Sequence, residues 1–172
     1  MISNPFTICQ CHLIYKQLKK QKMLRELNDT QIEALLKDQL IGRIGCHSAG
    51  VTYIVPVNYV YDGVNIFCHS AKGMKIDMMR ENPEVCFEVD KIKDITNWES
   101  VIVWGKFEEI TEMGEKEKVL QKLTDRITPY MIDDSVTREH GFVDEESDIG
   151  TTVELIMYKI IVSKKTGRFE DR

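Results

Sequence analysis

The sequence predicts a mainly β fold: a closed or partly split antiparallel barrel of six strands, flanked by two or three helices. Three observations predict it. Six β-rich runs follow one another with mostly short connections. The first three of them are not separated by helices, which speaks against a parallel doubly wound sheet. One run carries an interior proline, Pro56, and closure of the sheet removes the exposed edges such strands would otherwise present.

The elements can be justified in order. Thr30-Gln31-Ile32-Glu33 matches a capping box, with Asn28 as a rival N-cap. Ile32, Leu35, Leu36 and Leu40 then recur at helical spacing, and the helix ends near Gln39. Ile41 to His47 reads as a strand, Ser48-Ala49-Gly50 as a turn, and Val51 to Tyr61 as a long second strand. Pro56 lies in its middle and cannot donate to a ladder, so it marks a bulge, an edge, or a place where the strand leaves the sheet. Asp62-Gly63 is a type I′ hairpin signal, and Val64 to Cys68 returns. A helix follows from about Gly73 to Glu81, stopped by Asn82-Pro83. Val85 to Asp90 is the fourth strand, Lys91 to Asn97 a polar loop, and Trp98 to Ile110 the fifth strand. Thr111 to Arg126 is a second long helix, with Val119, Leu120 and Leu123 on its apolar face. Asp133 to Gly150 is an acidic surface excursion. Thr151 to Val162 is the last strand, and Lys164 to Arg168 reads as a polar tail.

With 172 residues the chain has the length of one domain with a real core. Its formal charge of −5 argues against a nucleic-acid binder, which usually presents a basic face. No apolar run approaches the roughly 20 residues of a membrane-spanning helix. The five cysteines, Cys9, Cys11, Cys46, Cys68 and Cys86, are odd in number, and three lie inside strands. They read as reduced thiols of a cytoplasmic protein. Cys9, Cys11 and His12 fit no common zinc spacing, so no metal is expected. Residues 1–22 read as an N-terminal extension. Their lysines follow the apolar part, the reverse of a secretory signal. Residues 23–172 are the domain.

The segment from Pro56 to Lys75 carries the chemistry. It runs strand, turn, strand and then a Gly- and Lys-bearing approach to a helix. A helix N-terminus with free N–H groups and a nearby lysine suits a phosphate. Gly73 permits close backbone approach, Ser70 can donate to a phosphate oxygen, and Lys75 can neutralise it; Lys72 is the lysine that could point outward. His69 can hydrogen-bond a ligand or act near a reacting ring, or serve as a structural hydrogen-bonder at a strand end. Around Pro56, backbone groups released from the ladder can face a ligand. The plainer alternative is a barrel bulge, with Val57 and Tyr59 as core residues. No Ser–His–Asp set and no calcium-loop spacing is present.

These motifs carry a resemblance. Ile41-Gly42-Arg43-Ile44-Gly45, Pro56-Val57-Asn58-Tyr59 with Asp62-Gly63, and His69-Ser70-Ala71-x-Gly73-x-Lys75 occur in that order. Asn82-Pro83-x-Val85-Cys86-Phe87-Glu88 and Trp98-Glu99-Ser100-Val101-x-x-x-Gly105 complete the set. Together they resemble the flavin-binding split-barrel family related to pyridoxamine 5'-phosphate oxidases, most closely its nitroimidazole-resistance branch. The resemblance implies a six-stranded antiparallel split β-barrel that works as a homodimer, with an FMN in each of two clefts between subunits; FAD is the larger alternative. It implies cofactor contacts from Pro56, Val57, Asn58, Tyr59, His69, Ser70, Lys72, Gly73 and Lys75, with His69 nearest to a catalytic role. Trp98 and Ser100 are implied to approach the flavin of the partner subunit.

The implied chemistry is reduction of a small planar electron-poor substrate, such as a nitroaromatic, with a nicotinamide or other electron donor. A flavin carries that chemistry, and the protein supplies binding, orientation and electrostatics. A pyridoxamine or pyridoxine phosphate oxidase is a second possibility. The tail Lys164 to Arg172 lacks the tryptophan of the Arg-rich segment with which such oxidases grip their substrate phosphate. A flavin carrier or sensor without turnover is a third and needs the same pocket.

Overall fold

The computed structural model describes residues 24–130 and 155–171. The expected extension over residues 1–22 and the acidic stretch 133–150 lie outside them. The described chain runs β1 (Arg25–Glu26), α1 (Asp29–Asp38), β2 (Ile41–Ser48), β3 (Val51–Tyr61), β4 (Asn65–Ala71) and α2 (Met74–Glu81). It continues with β5 (Glu84–Asp94), β6 (Asn97–Glu109), α3 (Met113–Ile127), a 3-10 turn (Thr128–Tyr130) and β7 (Leu155–Glu170).

All strand pairings are antiparallel, in the order β1-β7-β4-β3-β2-β5-β6, and β6 pairs back onto β7. Six strands therefore close a ring, as the sequence predicts. The two-residue β1 is a seventh, laid against the end of β7, and too short to leave a pattern in sequence. Alternation puts one set of side chains inside: Ile44, Cys46, Val57, Tyr59, Ile66, Cys68, Phe87, Val101, Val103 and Tyr158 share the core. Helix α1 joins this core with Ile32, Leu35 and Leu36, and α2 with Ile76 and Met79. Helix α3 covers the outside, where Val119 and Leu123 meet Phe67, Ile110 and Met157.

Some local expectations change. Asn28, not Thr30, caps α1: its side chain accepts from the Gln31 N–H, and the Gln31 side chain accepts from the Asn28 N–H. The primed two-residue turn falls at Ala49-Gly50, where φ is 49° and 79° and Ser48 pairs with Val51. The Asp62-Gly63 connection is longer, because Tyr61 pairs with Ile66. There the Asp62 carboxylate accepts from the N–H groups of Val64 and Asn65, and Asp62 does not take the positive φ that type I′ needs.

The polar stretches after Asp90 and after Val162 are strand, not loop and tail. The β5–β6 hairpin runs on to Asp94 and Asn97, and Lys164–Arg168 pair with β6. A register shift at Gly105 lets β7 bend around the barrel. A Cβ there would come within 2.4 Å of the Ile161 carbonyl oxygen, which only glycine avoids.

Pro56 sits on an open edge. Strand β3 pairs with β2 along Val51–Asn58 without a register shift, yet pairs with β4 only at Tyr59–Tyr61. Tyr59 donates its N–H to the Leu40 carbonyl, so odd-numbered residues of β3 direct their backbone groups to β2. Even-numbered ones face the gap. The N–H that Pro56 lacks is one that would have had no partner.

Candidate functional site

The gap between β3 and β4 is where the barrel is split, and α2 begins beside it. A pocket of about 220 Å³ lies there, lined by Tyr53 and Val55 of β3 and by Ser70 to Lys75. The structure thus brings Ser70, Lys72, Gly73 and Lys75 together in one place. Tyr53 and Val55 were missed by sequence reasoning. Their signal was the odd-numbered alternation they share with Val57 and Tyr59.

The start of α2 has no cap of its own. Gly73 is the N-cap and makes no side-chain cap hydrogen bond. Its carbonyl accepts from Ile76 and Asp77, but nothing among the described residues accepts from the N–H groups of Met74 and Lys75. A Cβ added at Gly73 would meet open space, with no atom within 4 Å. The backbone there is extended, which any residue can adopt. Neither the backbone conformation nor the surrounding atoms of the described residues require glycine at this position.

Lys75 is half-buried beside this terminus, and no carboxylate among the described residues pairs with it. Burial holds its ammonium below the usual lysine range, opposed by the nearby Cys68 and Cys46 thiols. Both thiols are free and buried. Burial pushes the Cys68 thiol up to about 12 and raises Cys46 as well, so both stay neutral at physiological pH. Lys72 is exposed, and the Ser70 hydroxyl donates to the Ala71 carbonyl at 2.7 Å.

The remaining predicted residues lie elsewhere. Val57 and Tyr59 turn their side chains into the core; the Tyr59 hydroxyl donates to the Leu36 carbonyl at 2.9 Å and its ring meets Phe87 edge-on. Pro56 and Asn58 alternate with them and turn outward, with backbone groups toward the gap. His69 pairs with Met157 in register and is half-buried on the same face of β4 as Phe67, away from the pocket.

Trp98 and Ser100 are far along the barrel. Ser100 donates to Glu88 at 2.9 Å, and Arg43 joins Glu88 and Asp90. The pocket adjoins Leu155 at one end of β7, through its pairing with Ala71, while Trp98 pairs with Glu170 at the other. Those ends are roughly 50 Å apart along the strand. A second groove, of about 560 Å³, lies on the outside of the sheet and includes Arg43, Ile54, Cys86 and Trp104 in its lining. Ile54 is 64% exposed and Trp104 38%.

The sequence profile of the pyridoxamine 5'-phosphate oxidase family matches residues 28–152. The chain belongs to that family. A FAD-binding protein of Mesorhizobium loti has a similar structure, with a TM-score of 0.65, 22% identity, and coverage of 87% of this chain and 99% of that one. A protein of Bacteroides thetaiotaomicron, described as a candidate 5-nitroimidazole antibiotic resistance protein, matches with a TM-score of 0.60 and 20% identity over 85% of this chain and 88% of that one. The FAD-binding protein of Mycobacterium smegmatis matches at 0.59 and 22%, over 86% of this chain and 100% of its own. At these identities the likeness is one of fold. An uncharacterized protein of Rhizobium meliloti (strain 1021) is 36% identical over 70 residues, which is 41% of this chain and 46% of that protein. The match thus spans less than half the length of that curated relative. No helix among the described residues is long and apolar enough to cross a membrane.

Proposed function

We propose that this protein is a cytoplasmic, flavin-dependent oxidoreductase that holds FMN and reduces small planar electron-poor compounds such as nitroaromatics. The observation that carries the reading is the uncapped N-terminus of α2, set in the split of the barrel beside a lysine that has no counter-ion among the described residues. A phosphate fits it: two N–H groups lack an acceptor, the space over Gly73 is open, and Lys75 supplies charge. In this reading Ser70, Gly73 and Lys75 hold the phosphate, and Tyr53 and Val55 wall its far side. The even-numbered backbone groups of β3 beside Pro56 offer donors and acceptors to the pyrimidine edge of the ring.

Bound flavin supplies hydride acceptance and transfer. The chain's part is to fix the ring against the open edge of β3 and to exclude water from one of its faces. A homodimer follows from the same reading. The pocket and Trp98 with Ser100 sit at opposite ends of β7, so one protomer cannot bring both to one flavin, and a second copy can. The apolar groove that holds Ile54 and Trp104 offers a face for that copy. An isologous pair is also the commonest oligomer.

The test is the visible absorbance spectrum of freshly purified protein, with the released chromophore identified by mass. A bound flavin is expected, and its mass decides between FMN and FAD. Turnover of a nitroaromatic with a reduced nicotinamide then separates a reductase from a carrier. A colourless protein that takes up neither added FMN nor FAD overturns the reading.

A further inference from the structure

We infer that capture of a phosphate-bearing ligand at this pocket is coupled to uptake of a proton by Lys75, so that ligand retention depends on pH. The inference rests on the phosphate reading of the pocket and goes beyond it. It concerns the state of the lysine before the ligand arrives.

Lys75 is the second residue of α2 and lies half-buried against the split of the barrel. Among the described residues, the groups that face it come from several elements. Strand β2 presents the Cys46 thiol and β4 the Cys68 thiol. Strand β3 presents Tyr53, which lines the same pocket. Behind the thiols, β7 contributes the Tyr158 phenol, buried beside Cys68. The approach to the helix carries Lys72, a like charge, in the same lining. On α2 itself, Asp77 is two residues on and so points to a different side of the helix. Glu81 takes the Ser48 hydroxyl. None of the facing groups is an anion at neutral pH.

An ammonium in this position has lost part of its hydration and gained no counter-charge, which disfavours its protonated form. Burial accordingly lowers the proton affinity of Lys75, and the raised Cys68 and Cys46 thiols do not ionise to restore it. A phosphate dianion on the α2 terminus supplies the missing charge at contact distance and restores the ammonium. Its own second ionisation lies near pH 6, so above about pH 7.5 the phosphate group no longer changes charge, and below about pH 9 the flavin ring keeps its N3 proton. The sign then follows from linkage. Below the lowered pKa of the free protein, Lys75 is already charged and no proton is taken up. Above it, and below the higher pKa of the complex, binding takes up as much as one proton. There the affinity falls as pH rises, by as much as about tenfold per unit.

The experiment titrates FMN calorimetrically into the full-length chain, freed of any bound flavin. It is run at about pH 7.5 and about pH 8.8, where the flavin ring stays neutral, in two buffers of different ionisation enthalpy. The expected result is more proton uptake and a lower affinity at the higher pH, both beyond what Lys75→Arg shows. Lys75→Arg keeps its charge and is expected to bind without uptake and with a flat pH profile. Lys75→Met, which tolerates burial, is expected to bind weakly with no pH dependence. Lys118→Met, on the exposed side of α3 and outside the pocket lining, is expected to keep the wild-type profile. A flat profile without uptake in the wild type overturns the inference, as does uptake that persists in Lys75→Arg. Inorganic phosphate serves as a second probe. Phosphate bound with proton uptake while FMN does not bind would leave the inference standing and overturn the flavin reading instead.

Discussion

Among the described residues three α-helices pack on this barrel, and their N-termini are finished differently. Helix α1 begins with a reciprocal capping box between Asn28 and Gln31. Helix α3 begins at Glu112, whose carboxylate accepts from the N–H groups of Gly114 and Glu115 at 2.8 and 2.6 Å. Helix α2 begins at a bare glycine and leaves its first N–H groups to the split of the barrel. The same chain thus satisfies two helix termini from within and leaves the third for something outside it. In the proposed reading the difference sets α2 apart as the end that takes the phosphate, because capping side chain and bound anion are alternative partners for the same donors.

The comparison can be broken by altering either kind of terminus. The largest effect is expected from Lys75→Glu, which puts a like charge beside a bound phosphate. FMN affinity should fall about 100-fold, read by fluorescence quenching, while the circular dichroism spectrum is unchanged. Next is Gly73→Asp, which gives α2 the cap it lacks. Urea denaturation should register a gain of a few tenths of a kcal/mol, and FMN affinity should drop about tenfold as the new carboxylate occupies the donors. Asn28→Ala removes the cap of α1. It should cost about 1 kcal/mol in the same denaturation assay and leave FMN affinity alone.

The smallest effect concerns acid. Backbone N–H donors hold the exposed Glu112 carboxyl below its ordinary value of 4.5. A carboxyl lowered in the folded state stabilises above its unfolded pKa, and that contribution is lost as pH falls through the folded one. Protection factors of the Gly114 and Glu115 amides, taken against intrinsic exchange at each pH, should therefore fall below that range, and Glu112→Ala should lower them above it and match the wild type below it.

The parts of the fold legible in the sequence were those whose partners are local or strictly periodic. The helix of Ile32, Leu35 and Leu36, the strand from Val51 to Tyr61, and the stop at Asn82-Pro83 all announce themselves within a few residues. Lys164 to Arg168 did not, because what makes them a strand is far away. Lys164 lies 5.3 Å from the Trp104 ring, and Lys165 bonds to Glu33 and to the Tyr61 hydroxyl. Lys91 is similar, since it reaches the Asp38 carboxylate at 3.1 Å.

The candidate site divides the same way. Ser70, Gly73 and Lys75 are adjacent in sequence and meet in one pocket. The alternation along β3 gives the face on which Tyr53 lies, but not that β3 passes beside the start of α2, which is what brings it into the pocket. Tyr59 belongs to the Pro56–Tyr59 motif, and its side chain lies in the core with its hydroxyl committed to the Leu36 carbonyl.

The most direct test of the central claim compares FMN with riboflavin, which differs by the phosphate alone. Titrated into the wild-type protein near neutral pH, FMN should bind at least about 100-fold more tightly than riboflavin. In Gly73→Asp that preference should shrink about tenfold, and in Lys75→Glu it should vanish. Equal affinity for the two flavins in the wild type would contradict the account, because the uncapped terminus of α2 would then not be where the phosphate rests.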